Sequence, residues 1–156
     1  MQQVNYKSPS LSVSQWARRI ICAIFIFILL GFFQVVIWVV PFRVYARWLE
    51  NNFKIMPEKK NEARASGYAR LIGQLVARIA RITPWPSKCL VQAMTVKLLL
   101  RRFRIANEML IGVALDDKQK LSAHAWVNVT DITVVGGANS INEFKVIKIF
   151  RDSYGG

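Results

Sequence analysis

A chain of 156 residues is long enough to bury one real core and too short for several, so one domain with at most a terminal appendage is expected. Hydrophobic residues make up 53 %, and 22 Lys and Arg against 9 Asp and Glu leave a net charge of +13; this excludes an ordinary near-neutral soluble domain and selects a membrane protein or one whose apolar surface partners cover. Two cysteines and one histidine exclude a disulfide framework and any Cys-x-x-Cys or His-Glu-x-x-His metal site, and point to a reducing compartment, the cytoplasm.

Residues 1–15 are polar, carry Ser8-Pro9-Ser10 and read as a flexible arm. Residues 20–42 then run without a charge, flanked by Arg18 and Arg19 on one side and Arg43 and Arg47 on the other. This is long enough to cross a bilayer as a helix, and no small-residue cleavage site marks it as a removable signal. The same run also fits a helix docked on a soluble fold, and basic residues at both ends give no orientation. Pro41 ends it, and Trp38 suits an interface. The positive charge would attract phosphate, acidic lipid or acidic peptide, but no recognition motif or Gly-rich loop supports nucleic-acid binding.

Residues 43–83 hold nine basic and three acidic side chains, with Pro57 and Gly67 as breaks. Within them Tyr68, Leu71, Ile72, Leu75, Val76 and Ile79 recur at helical spacing, and Arg70, Gln74, Arg78 and Arg81 lie opposite. The expectation is a surface helix with that apolar stripe on the core. The units expected are an arm at 1–15, a hydrophobic helix with a basic connector at 16–56, and the main domain at 57–156.

Next comes Pro84-Trp85-Pro86-Ser87-Lys88-Cys89, a proline-framed turn that delivers a cysteine to the first turn of an apolar helix running toward Phe103. Ser87 is the expected N-cap, which puts Cys89 near N2, where free backbone N–H groups and the helix dipole stabilise an anion. A helix apolar nearly all round is a buried one. Strand periodicity follows at 109–115, 123–129, 132–135 and 144–150, with turns at 116–120 and Thr130-Asp131. Helices first and hairpin-linked strands after predict an α+β fold with a mostly antiparallel sheet.

A sulfur nucleophile needs a proton acceptor, and His124 in Ala123-His124-Ala125-Trp126-Val127 is the sole histidine. A cysteine opening a buried helix, followed by a sheet whose second strand begins with histidine, is similar to papain-like and transglutaminase-like thiol enzymes. The resemblance narrows with Pro86-Ser87-Lys88-Cys89-Leu90-Val91-Gln92-Ala93, the Leu98-Leu99-Leu100-Arg101-Arg102 helix end, Ile111-Gly112-Val113 and the Ala-His-Ala-Trp-Val strand. Together they resemble the B2 proteins of lasso peptide biosynthesis, transglutaminase-like cysteine proteases that remove the leader from a ribosomally made precursor.

That resemblance implies Cys89 as nucleophile and His124 as general base, no cofactor and no metal. It implies three partners: the precursor peptide, a small leader-binding protein of B1 type, for which this chain leaves no room, and a macrolactam synthetase downstream. It implies a cytoplasmic protein, held at the inner face of the membrane if residues 20–42 are embedded. The competing reading is a membrane-anchored basic accessory protein with a non-catalytic domain of the same fold.

Family members often carry an Asp on the strand after the histidine strand, where this chain reads Val134-Val135-Gly136-Gly137. With Thr130-Asp131 as a two-residue turn, Val129 pairs with Ile132 and His124 faces Gly137. Asp131 then lies about 20 Å or more from His124 and is a turn residue. Asn139 is a candidate for orienting the imidazole, with an unspecified backbone carbonyl as the alternative, and a bulge of the strand at the glycine pair is also open. Gln92, one turn from Cys89, and Trp126, two residues from His124, are candidates for lining the cleft; each also has a plain structural role open to it, a capped surface or a core tryptophan. The Cys89 backbone N–H is the simplest oxyanion donor.

Overall fold

The computed structural model describes residues 13–50, 62–115, 120–137 and 143–152. Four helices, α1 (Val13–Val39), α2 (Phe42–Glu50), α3 (Glu62–Ala80) and α4 (Cys89–Arg102), precede four strands, β1 (Asn107–Leu115), β2 (Leu121–Val129), β3 (Ile132–Val135) and β4 (Lys145–Asp152). The expected α+β arrangement is the one observed.

The apolar run forms α1 without interruption, and α2 starts at once, its Val44 N–H donating to the Pro41 carbonyl at 2.9 Å. One face of α1, through Ile26, Leu30 and Phe33, joins the same core as α3, α4 and the sheet. In α2 the buried residues are Tyr45, Ala46 and Leu49, and Trp48 lies under the Arg101 guanidinium of α4 at 5.4 Å.

Helix α3 turns only part of its apolar stripe to the core. Val76 and Ile79 are buried there and Ile72 packs beside them, as expected, but Tyr68, Leu71 and Leu75 are exposed and the small residues Ala69 and Gly73 are buried in their place. The reason is closeness. A Cβ at Gly73 would collide with the Val134 carbonyl of β3, so the helix can approach the strand only on its small-residue side.

Helix α4 is buried along most of its length, as an all-round apolar helix should be. It ends in a Schellman-type turn: Ile105 N–H donates to the Leu100 carbonyl (2.9 Å), Arg104 N–H to Arg101 (3.1 Å), and Arg104 sits at φ 55°. Lys97 reaches the Phe150 carbonyl and Arg101, one turn on, reaches Asp152, so β4 runs with α4 and β1 runs against it. Antiparallel β2 therefore runs parallel to α4.

The sheet order is β3-β2-β1-β4 and every pairing is antiparallel. The fourth strand crosses from the β3 edge to the far edge instead of extending a meander. Alternation gives Met109, Ile111, Ala125, Val127 and Phe150 to the core shared with the helices, and Leu110, Gly112, His124 and Trp126 to the other face.

One polar knot lies inside the core. Lys97 Nζ donates to Asp152 Oδ2 at 2.8 Å and to the Phe150 carbonyl at 3.2 Å, and Arg101 reaches the same carboxylate at 2.8 Å. Asn107 adds a bond from Nδ2 to Asp152 at 3.3 Å. Burial pushes the Asp152 carboxyl up, but the bonds and charges of Arg101 and Lys97 outweigh it and hold the group below the usual carboxylate range. Burial, joined by the repulsion of the Arg101 charge, holds Lys97 below its ordinary value against the bond and charge of Asp152.

Candidate active site

Helix α4 begins one residue later than the capping pattern suggests. Its N-cap is Lys88, in extended conformation and without a side-chain cap, and the first helical bond is Gln92 N–H to the Lys88 carbonyl at 3.1 Å. Ser87 is not the cap because its hydroxyl is engaged elsewhere, 2.9 Å from Thr83 Oγ1 across the turn. Cys89 is therefore N1, still among the positions whose backbone N–H has no partner within the helix. Its side chain is half-buried and free of any disulfide.

The turn before it is built twice over. From inside, Ser87 N–H donates to the Trp85 carbonyl (2.9 Å), Lys88 N–H to Pro86 (2.8 Å), and the Gln92 amide to Ser87 (2.7 Å). From outside, α1 clasps it: Phe27 packs on the Trp85 ring at 5.0 Å, and a Cβ at Gly31 would stand 3.1 Å from that ring. Gln34, with its amide nitrogen toward the turn, donates to the Pro86 carbonyl at 2.8 Å and accepts from Trp38 Nε1 at 3.0 Å. The Gln92 amide nitrogen is thus spent on the turn. Periodicity could not reveal Phe27, Gly31 and Gln34, which hold the turn from α1; the only sequence signal was a tryptophan between two prolines.

His124 sits opposite Gly112 on β2. A Cβ at Gly112 would stand 2.9 Å from both the Trp126 ring and Phe144 Cβ, so the glycine leaves room for the aromatic group around the imidazole. The imidazole lies near-parallel to Phe144 (centroids 5.0 Å, 28°) and to Trp126 (6.2 Å, 19°). Trp126 is fully buried, which leaves it no surface for substrate and makes it a wall of the imidazole pocket. Its indole N–H has no acceptor among the described residues.

The expected facing of His124 and Gly137 is changed by a bulge. Val129 pairs with Ile132 and Asn128 with Thr133, but Val127 pairs with Val135, so Gly136 falls beside Trp126. Both glycines take positive φ, 99° and 89°. The result is a carbonyl aimed at the histidine: His124 Nε2 lies 2.6 Å from Gly136 O. A carbonyl only accepts, so Nε2 carries a proton and donates it to Gly136 O, and Nδ1 is the ring atom left to act as acceptor. Asn139 lies outside the described residues. Asp131 is an exposed turn residue.

Cys89 and His124 lie toward the same end of the domain. Lys97 ties the middle of α4 to Asn107 and Phe150, and Arg101, further on, bonds Asp152 at the outer end of β4. From that anchor the eight residues back to Cys89 cover about 12 Å of helix, and the four from Asn128, opposite Glu108, back to His124 cover about 13 Å of parallel strand. Alternation turns the imidazole away from Ala125 and Val127, which pack toward α4. No hydrogen bond joins thiol and imidazole among the described residues, and no three His, Cys, Asp or Glu side chains there gather as a metal site.

No curated protein and no solved structure matches the chain. Its residues 36–148, from the last turns of α1 into β4, match the profile of the Transglutaminase-like superfamily, and with the cysteine-led helix and antiparallel sheet in that order, the chain belongs to this superfamily.

Proposed function

We propose that the protein is a cysteine peptidase that removes the leader from a lasso peptide precursor. The observation that carries this reading is the bond from His124 Nε2 to Gly136 O, which leaves Nδ1 as a base at the end of the sheet where α4 begins with Cys89. The resemblance of the Cys89 and His124 stretches to B2 proteins supplies the substrate class.

In this mechanism Nδ1 takes the Cys89 proton and Sγ adds to the scissile carbonyl, with the oxyanion forming near the free N–H groups of the first turn of α4. The tetrahedral adduct collapses as the imidazolium gives its proton to the leaving amine of the core peptide. A thioester of the leader remains on Cys89. Water, deprotonated by Nδ1, then hydrolyses it, releasing the leader carboxylate and the thiol. Catalysis requires thiol and imidazole to close to hydrogen-bond reach when substrate binds, as contacts of this kind often tighten only in the complex. A small B1-type protein presents the leader, and a macrolactam synthetase takes the released core.

Incubating precursor with this protein and its leader-binding partner is expected to yield leader and core by mass spectrometry, with none from Cys89→Ala or His124→Ala. Equal cleavage by the Cys89→Ala variant would refute the mechanism. The absence of a thiol–imidazole bond favours a second reading, a non-catalytic binding protein at the membrane. Iodoacetamide separates the two: the peptidase reading expects alkylation of Cys89 at neutral pH well above the rate of a free cysteine, slowed by His124→Ala.

A further inference from the structure

We propose that α1 lies in the plane of an anionic bilayer surface, its outer face at the acyl boundary and its inner face still packed on the domain. This inference stands apart from the proposed reaction.

The outer face is apolar and uncovered. Ile21, Ile24, Phe25, Ile28, Phe32 and Val35 fall on one side at helical spacing and are 53–64 % exposed. Single exposed apolar residues are ordinary, but a continuous stripe of this size marks a docking surface.

Composition alone would let this helix span, since residues 14–39 are long and apolar enough. The packing argues otherwise. Only residues 14–22 are exposed on every side, and they cover about 14 Å, under half of a hydrocarbon core. Beyond them Ile26, Leu30 and Phe33 are buried against α3 and α4, and Phe27, Gly31 and Gln34 hold the Trp85 turn. Spanning would strip all of these contacts. An interfacial helix ordinarily turns a polar side to water; here the domain itself occupies that side.

Charge selects lipid over a second copy of the chain. No Asp or Glu precedes Glu50, and Arg18 with Arg19 in the first turns of α1 and Arg43 with Arg47 in α2, which follows it, lie exposed. Pairing two copies through this face would set arginines against arginines at both ends in either direction. Anionic head groups neutralise them instead. Trp16 and Trp38, both exposed, stand at the ends where an indole suits head-group depth.

The test is flotation of the purified full chain with vesicles of phosphatidylcholine alone or of phosphatidylcholine with phosphatidylglycerol. The chain is expected to float with the anionic vesicles, to leave them as salt rises, and to be released by alkaline carbonate as a spanning helix is not. Ile24→Asp with Ile28→Asp, both exposed and so tolerated by the fold, should lower the bound fraction at least about tenfold, from the apolar burial lost. Leu115→Asp, exposed on β1, should leave it unchanged. Retention after carbonate, equal flotation on neutral vesicles, undiminished binding by the double variant, or no flotation of the wild type together with a dimer by light scattering would each overturn the proposal.

Discussion

His124 is oriented by an oxygen that belongs to no side chain. Gly136 makes that possible: its φ of 99° suits glycine alone, and a Cβ there would collide with the backbone and Cβ of Trp126. Gly136→Ala is expected to cost about 1–3 kcal/mol of stability and to slow Cys89 alkylation by displacing the carbonyl from Nε2. Thermal unfolding and iodoacetamide kinetics measure the two effects separately. The glycine pair and its capacity to bulge were legible in Val134-Val135-Gly136-Gly137, but which atom would meet the imidazole was not, because a one-residue shift in register changes the neighbour.

The other residue of consequence is Asp152, whose side chain is fully buried between two cations. Removing its charge takes the ion-pair partner from the buried Lys97, so Asp152→Asn should destabilise by about 3–5 kcal/mol in chemical denaturation. The sign of the pH effect follows from the lowered carboxyl. Its stabilising contribution is complete above the unfolded value of about 3.9 and is lost as pH falls through the lower folded value, so wild-type stability should fall on acidification below about pH 4. In Asp152→Asn that part of the slope should vanish. Nothing near Lys97 in the sequence marks its partner, which lies 55 residues away on the last strand, beyond any periodicity.

At the scale of elements, the β1 and β2 hairpin was readable because two apolar, strand-forming runs flank a polar turn, and their register runs unbroken from Glu108 with Asn128 to Leu115 with Leu121. The face of α3 was readable only in part: Ile72, Val76 and Ile79 pack on the core as their spacing predicts, but the close approach of Gly73 to β3 leaves Tyr68 and Leu71 outside. Helix α4 ends on Arg104 in the left-handed region where glycine is the easier residue. Arg104→Gly is therefore expected to raise stability by about 1 kcal/mol, seen as a higher denaturation midpoint at unchanged m-value. Trp85→Ala removes the ring that α1 grips through Phe27 and Gly31. It should alter the alkylation rate of Cys89 while α4, tied at its other end by Asp152, keeps its helicity by circular dichroism. An unchanged rate would mean that α1 does not set the position of the nucleophile.

At the scale of the molecule, two surfaces of α1 do different work: one completes the core and holds the turn before Cys89, and the other is left apolar toward the outside. Composition announced an apolar helix but left open whether it spans or docks, because that depends on what packs against each side. The central claim is that Cys89 carries the acyl group of the leader during cleavage, with His124 moving the proton. Intact-mass spectrometry of a reaction with precursor and leader-binding partner, quenched in acid during turnover, tests it most directly. The expected result is an adduct of leader-fragment mass less one water on the Cys89 peptide, labile to hydroxylamine and missing in Cys89→Ala and His124→Ala. Release of free leader by Cys89→Ala, or turnover in the wild type with every adduct on another residue, would contradict it.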